Sequence, residues 1–400
     1  MHGHPQGRSL QPILARKTIL QPSLIHRVVF LRNSSEAHAV AIITFHRLKH
    51  SLREGFMDTQ GASMDWSFKG MRTLILENKL LRVSILLDKG SDIFEVKYKP
   101  LDVDVIWHTP WGYRDPSGHV QSLATEDGSF LDLYGGGWND IFPNFGQASA
   151  NRGTRWGLHG ESSLLPWTCE IGNTEDGGEP GAKLSMECVR YPLSATKLIK
   201  LDRAETTLHV VEDIRNIGEQ EVELSWAQHI AFGEPFVSEH LSIDIPAVKA
   251  RTQLNEVKQE RLSRNKIFEW PIAPGLSGKG VDLQRIPDHA ERVQDDLVIT
   301  ELREPRYRLY NSKLQLGVEV TWNPEVFHFL WYWLNWGVLD YPWFGRARVL
   351  ALEPVTGSED GLASNINASK AVSLAPGATL QGRIDMRLFA KPEPISRKQP

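Results

Sequence analysis

LLRVSILLD at residues 80–88 alternates strictly: Leu81, Val83, Ile85 and Leu87 fall on one side, Arg82 and Ser84 on the other. LQLGVEV at 314–320 repeats the pattern with Leu314, Leu316, Val318 and Val320. GRIDMRLFA at 382–390 repeats it with Ile384, Met386 and Leu388. A period of two describes a strand with one buried and one wet face. Similar runs occur near 91–98, 182–190, 196–202, 205–214, 221–230, 297–302, 326–334 and 347–353, punctuated by turn signals such as Asn216 with Gly218 and Pro376-Gly377. Only 247–265 reads as a helix of any length. Without βα alternation, so many strands predict an all-β protein: a large antiparallel β-sandwich with few short helices, one domain over 65–395.

Composition narrows the class. Of 400 residues 41% are hydrophobic and 24% charged, as in ordinary globular proteins. No apolar run approaches the roughly 18 residues that cross a bilayer, so no membrane partner is expected. Cys169 and Cys188 are the only cysteines, too few for a disulfide framework, which fits a reducing, cytoplasmic setting. Residues 1–57 hold eight Lys/Arg against two Asp/Glu, while the remainder carries an acidic excess. An acidic body argues against nucleic acid as a partner. Residues 1–64 read as an extension: a disordered tail, a transit peptide, or an over-extended start with Met57 or Met64 as the working one. AVAIITF at 39–45 is too short and too far in for a secretory signal.

Three titratable groups stand in unusual settings. His159 lies in the loop-like segment LYGGGWNDIFPNFGQASANRGTRWGLHGESSLLPW at 133–167, between Gly157 and Gly160. Glycines there let a backbone approach a ligand closely. His229 ends a strand pattern in LSWAQHIAFGEPF at 224–236, and Glu353 ends one in VLALEPVTG at 349–357. Period two places Val349, Ala351 and Glu353 on one face. A carboxyl group in such apolar surroundings has a raised pKa, suited to base catalysis near neutrality. A loop histidine satisfied by a carbonyl, a half-buried sheet histidine and a plain strand-end glutamate are the structural alternatives. FHFLWYWLNW at 327–336 puts Phe327, Phe329, Trp331 and Trp333 on one face, either core or a stacking wall for a sugar. No GxGxxG, GxxxxGK or GxSxG element is present. His159, His229 and Glu353 form a conceivable two-histidine, one-carboxylate metal set, but their spacing does not support one. No metal or cofactor is expected.

These residues carry a resemblance. LHG at 158–160 followed by Trp167, the preceding IFPNFG at 141–146, VVEDIRNIGEQEVELSWAQHIAFG at 210–233, LALEPVTG and PGATLQGRIDMRLFA occur in order. Together they resemble aldose 1-epimerases, the galactose mutarotases and their sugar-phosphate relatives, over roughly 70–390. The resemblance implies a galactose mutarotase-like supersandwich and interconversion of the α and β anomers of an aldose. It makes Glu353 the base at the C1 hydroxyl, His229 the acid at the ring oxygen and His159 a supporting donor. Asn144, Arg155, Glu161, Asp296 and Trp331 are its candidate sugar contacts, with Arg152 and Asp295 as neighbours of two of them. The sequence departs from the family pattern where LHGG becomes LHGE, placing Glu161 in a glycine position, and where NHTYF becomes QHIAF. The rivals are a non-catalytic sugar-binding module, a lyase or hydrolase drawing on Tyr134 and Asp140, and a metal-dependent β-barrel oxygenase. The expected partner is a small sugar; nothing in the sequence speaks to oligomeric state.

Overall fold

Alternation along each strand becomes two stacked antiparallel sheets in the computed structural model, which describes residues 61–118, 128–172 and 180–390. Twelve strands form the larger sheet. It opens with a meander of Gly61–Phe68, Met71–Glu77, Leu81–Leu86 and Asp92–Tyr98. It continues through Trp138–Ile141, Ala227–Gly233, Arg348–Val355, Phe329–Trp336, Val293–Leu302 and Ala247–Thr252, and ends on Ile267–Glu269. Eight strands form the second sheet, whose middle is Leu316–Trp322, Thr379–Ala390, Thr207–Asn216 and Leu193–Leu201. Only two short α-helices, Gly128–Leu133 and Leu362–Asn367, interrupt the β structure of the described residues. Neither is long and apolar enough to cross a membrane.

The apolar faces read from the sequence meet between the sheets. Leu81, Val83, Ile85 and Leu87 join Leu316, Val318, Val320, Ile384, Met386 and Leu388 in one hydrophobic core. On the opposite face Arg82 forms a bidentate pair with Glu95. Ser84 is buried rather than wet, its hydroxyl donating to Glu95 at 2.7 Å.

Three expectations change. The segment 247–265 is not a helix: Ala247–Thr252 adds to the larger sheet beside Val293–Leu302, and the chain then loops. Ala247, Ala250 and Thr252 bury their side chains there, and pairing on both sides, with Val293–Leu302 and Ile267–Glu269, overrides a weak helical pattern. Phe327 precedes its strand and packs in the main core, away from Phe329, Trp331 and Trp333. The boundary placed at 64 falls inside the strand Gly61–Phe68, which is registered on Met71–Glu77. What was expected of residues 1–60 and 391–395 lies outside the described residues.

Candidate functional site

Three neighbouring strands of the larger sheet build the floor of a cleft on the face turned away from the second sheet. In Arg348–Val355, Leu350 and Leu352 enter the main core, which turns Val349, Ala351, Glu353 and Val355 outward. In Ala227–Gly233, Ile230 and Phe232 point inward and Ala227, His229 and Ala231 outward. Ala227 pairs with Val355 and Ala231 with Ala351, so the register sets His229 beside Glu353. Glu353 is in turn opposite Trp331. Small residues at 227, 231 and 351 leave a hollow around the two polar side chains. Tyr134, Phe145, Trp331 and Trp333 stand around it.

The hollow deepens into a cavity of about 320 Å³ that brings together His159, His229, Glu353, Asp296 and Trp331. His229 Nε2 lies 3.6 Å from Glu353 Oε1, and both side chains are almost fully removed from solvent. Glu353 Oε2 and His229 Nδ1 find no hydrogen-bonding partner among the described residues. Burial raises the Glu353 carboxyl well above its ordinary range, with Asp296 adding to the rise. Burial likewise lowers the His229 imidazolium to about 4. Unsatisfied buried polar atoms are costly, and on the floor of a cleft a bound polar ligand can satisfy them.

His159 comes from the glycine-rich loop, as the sequence suggested, and sits in the left-handed region at φ 61°. Its Nδ1 accepts the Gly146 amide at 3.2 Å, which leaves the proton on Nε2. Phe130 and Phe145 hold the ring at centroid distances of 4.5 and 5.6 Å, and the His229 ring lies 5.8 Å away. Burial, then His229, depresses the His159 pKa well below its usual value, so the ring is a neutral donor. Gly160 is required next to it: at φ 68° an added Cβ would sit 2.8 Å from the Phe142 carbonyl oxygen.

Asp296 reaches the cavity from Val293–Leu302 and accepts the Trp331 indole N–H at 2.7 Å. Burial and the nearby Asp360 raise its carboxyl well above the ordinary range. Asp360 was missed in the sequence. It lies in the loop that leaves the Glu353 strand and returns along the cleft, accepting the Gln147 amide at 2.8 Å. Lys258 is the one cationic side chain among the described cavity-lining residues, and its ammonium donates to the Tyr341 carbonyl at 2.7 Å. Among the described residues no cluster of three or more His, Cys, Asp or Glu side chains is arranged to hold a metal ion.

Other expected contacts do not reach the cleft. Asn144 is a clamp: its amide donates to the Gln147 and Gly157 carbonyls at 2.9 and 3.2 Å and accepts Leu362 N–H at 2.7 Å. Arg155 is exposed on the small hairpin of Ser149–Asn151 and Thr154–Trp156, while Arg152 pairs with Glu223. Glu161 points away from the cavity, because its carboxylate accepts the backbone amides of Val189 and Arg190 at 3.0 and 3.1 Å. LHGE thus tethers a neighbouring loop rather than a sugar.

Asp140 is also turned inward. It faces the core with Gln228 and pairs with Lys197, which reaches across from the second sheet. A second cavity of about 330 Å³, beside Trp107, His108 and Arg346, contains none of the expected residues.

Residues 68–388 match the family described as a domain of unknown function (DUF4432), and the chain belongs to that family. No curated protein matches it. A protein from Synechocystis is 19% identical, with a TM-score of 0.58 over 82% of this chain and 100% of the other. A galactose mutarotase-like protein from Clostridium acetobutylicum is 14% identical, with a TM-score of 0.59 over 83% and 99%. A galactose mutarotase related enzyme from Lactobacillus acidophilus is 17% identical, with a TM-score of 0.55 over 80% and 99%. At these identities the likeness shows the fold: the protein has the galactose mutarotase-like supersandwich.

Proposed function

We propose that this DUF4432 protein is an aldose 1-epimerase-like isomerase that interconverts the α and β anomers of a sugar. The observation that carries the reading is the His229–Glu353 pair, 3.6 Å apart at the bottom of the cleft. Ring opening removes the proton from the C1 hydroxyl and adds one to the ring oxygen as the C1–oxygen bond breaks. Rotation about C1–C2 and closure on the other carbonyl face return both protons. One group must therefore accept a proton while another donates, and then the roles reverse.

Glu353 takes the C1 hydroxyl proton and His229 protonates the ring oxygen in this reading. Burial favours protonated Glu353 beside neutral His229. Moving that proton within the pair gives the carboxylate and imidazolium that react. Both forms hold a single proton, so a catalytic cycle begins and ends with the same count. His159 presents its Nε2–H nearby and supports charge developing on the ring oxygen. Asp296 accepts sugar hydroxyls, and Trp331 offers a flat face to the sugar's C–H groups. With one lysine, already engaged, as the only cationic side chain among the described lining residues, the cavity offers little to hold a phosphate and favours an uncharged sugar.

The test is one-dimensional NMR on freshly dissolved single anomers of glucose, galactose and other aldoses. Exchange faster than the spontaneous rate supports the reading. A protein that binds these sugars yet never accelerates exchange is a binding module, and the isomerase reading falls.

A further inference from the structure

One level of the larger sheet carries polar side chains across four neighbouring strands. His229 is directly opposite Asn139 of Trp138–Ile141, on the side away from Glu353. The register that pairs Ile93 with Trp138 brings Asp92 level with Asn139 in turn. Directly opposed residues share a face and hold their Cβ atoms about 5 Å apart, so Asp92, Asn139, His229 and Glu353 form one row. At its far end the Lys89 ammonium pairs with Asp92 and donates to the Ser163 carbonyl at 3.2 Å.

Asn139 is the member of the row with no structural use of its own. It is 0% exposed and lies beneath the cavity rather than in its wall. Neither its carbonyl oxygen nor its amide nitrogen has a hydrogen-bonding partner among the described residues, so it tethers no turn and caps no strand there. An amide buried in that way costs free energy that an apolar side chain would not. Its two neighbours are each short of one partner: Asp92 Oδ1 and His229 Nδ1 are unpartnered as well. An amide has a donor for the first and an acceptor for the second. The donor end is already partly engaged: burial raises the Asp92 carboxyl, while Lys89 and then Asn139 draw it back. Hydrogen bonds in an active site are often long without substrate and tighten in the reacting complex.

We infer that Asn139 is the positioning residue of His229: its Oδ1 takes the Nδ1–H, while its Nδ2–H donates to Asp92, which Lys89 anchors. The inference rests on the anomer-exchange reading and adds to it which imidazole nitrogen reacts. Protonated Glu353 beside neutral His229 requires a bare Nε2, which puts the ring proton on Nδ1. Nδ1 keeps that proton throughout the cycle, and every proton exchanged with Glu353 or the sugar enters and leaves at Nε2. Tyr134 is the rival acceptor: its ring meets His229 at 5.6 Å, and its hydroxyl is also unpartnered among the described residues.

Long-range ¹H–¹⁵N NMR of the full chain, labelled at histidine, reads the tautomer with no sugar present. The His229 signal is identified by its loss in His229→Gln. Wild-type protein at pH 7.5 should show the Nδ1–H form, and an Nε2–H ring would overturn the inference before any variant is made. In Asn139→Leu that preference should be lost. Its kcat for anomer exchange should fall about tenfold with KM within about twofold, the loss expected of one orienting hydrogen bond. Asn139→Asp, which keeps an acceptor oxygen, should retain the Nδ1–H form. A tautomer that survives Asn139→Leu, or is lost only in Tyr134→Phe, overturns the assignment. If wild-type protein never accelerates exchange while the tautomer still depends on Asn139, the positioning stands and the isomerase reading falls.

Discussion

Replacing Lys197 with methionine tests the architecture beneath the cleft. Lys197 belongs to the Leu193–Leu201 strand of the second sheet and is 2% exposed. Its ammonium pairs with Asp140 of the larger sheet, donates to Ser91 Oγ at 2.7 Å and lies 3.8 Å from Glu212 Oε2. It also stands 4.7 Å over the Trp167 ring. Methionine matches its length without its charge, so two buried carboxyl groups lose their counter-ion. Breaking a buried pair in this way costs about 3–5 kcal/mol. At about 2.1 cal/mol/K of unfolding entropy per residue, a body of this size loses about 4–7 °C in Tm.

The loss should depend on pH. Burial already pushes the Glu212 carboxyl up to about 7 from an unfolded value of 4.5. An acid with a raised folded pKa contributes stability fully below pH 4.5 and loses it as pH climbs through about 7. Lys197 lowers that folded value, so its removal raises it further. The variant should therefore be closest to wild type at pH 5 and farthest from it at pH 8. Urea denaturation at both values measures the difference. A second variant adding Asp140→Asn should recover part of the loss by removing one stranded charge. A cost under about 1 kcal/mol at pH 8, or one equal at both pH values, would refute the reasoning.

Glu353→Gln should lower kcat/KM for anomer exchange by about 10²–10⁴ while sugar binding persists, and an unchanged rate would remove the acid–base assignment. Its thermal stability should hold or rise, because a carboxyl whose charged form burial disfavours is replaced by an amide that cannot ionise. His209 lies between Asp385 Oδ1 at 2.6 Å and Asp202 Oδ1 at 3.1 Å, which raise its pKa above 6.5. Its stabilising contribution is complete below pH 6.5 and lost as pH rises through the higher folded value. A Tm-versus-pH series for His209→Asn should lack that step; an identical profile would show that the clamp contributes nothing. Glu161→Ala should cost about 1–3 kcal/mol by freeing the Val189 and Arg190 amides, yet leave sugar affinity where it was. A selective loss of affinity would return Glu161 to the site.

The floor of the cleft was more legible than its walls. Period two in VLALEPVTG already separated Glu353 from Leu350 and Leu352, because in a buried strand alternation is enforced by which side faces the core. The same logic placed Trp331 and Trp333 together. It failed at Phe327, since periodicity carries no mark of where a strand begins. Glu161 and Asn144 were misplaced for another reason. In a folded loop the direction of a side chain is set by local hydrogen bonds, here to 188–190 and to Leu362, and no period reveals those. Asp140 could not be told from a cleft acid without the register that pairs it with Gln228 and turns both toward Lys197. Asp360 offered only its closeness to Glu353 in the chain.

The division between floor and rim sets an order in time. His229, Glu353 and Asp296 spring from central strands whose amides are locked in ladders on both sides, whereas His159, Tyr341, Trp343 and Asp360 ride on connections. Connections open at lower free energy than mid-sheet strands, so their amides should exchange with deuterium first. On warming, the connections should loosen before the strands that carry His229 and Glu353, so under the proposed reaction sugar selectivity should fall before anomer exchange does.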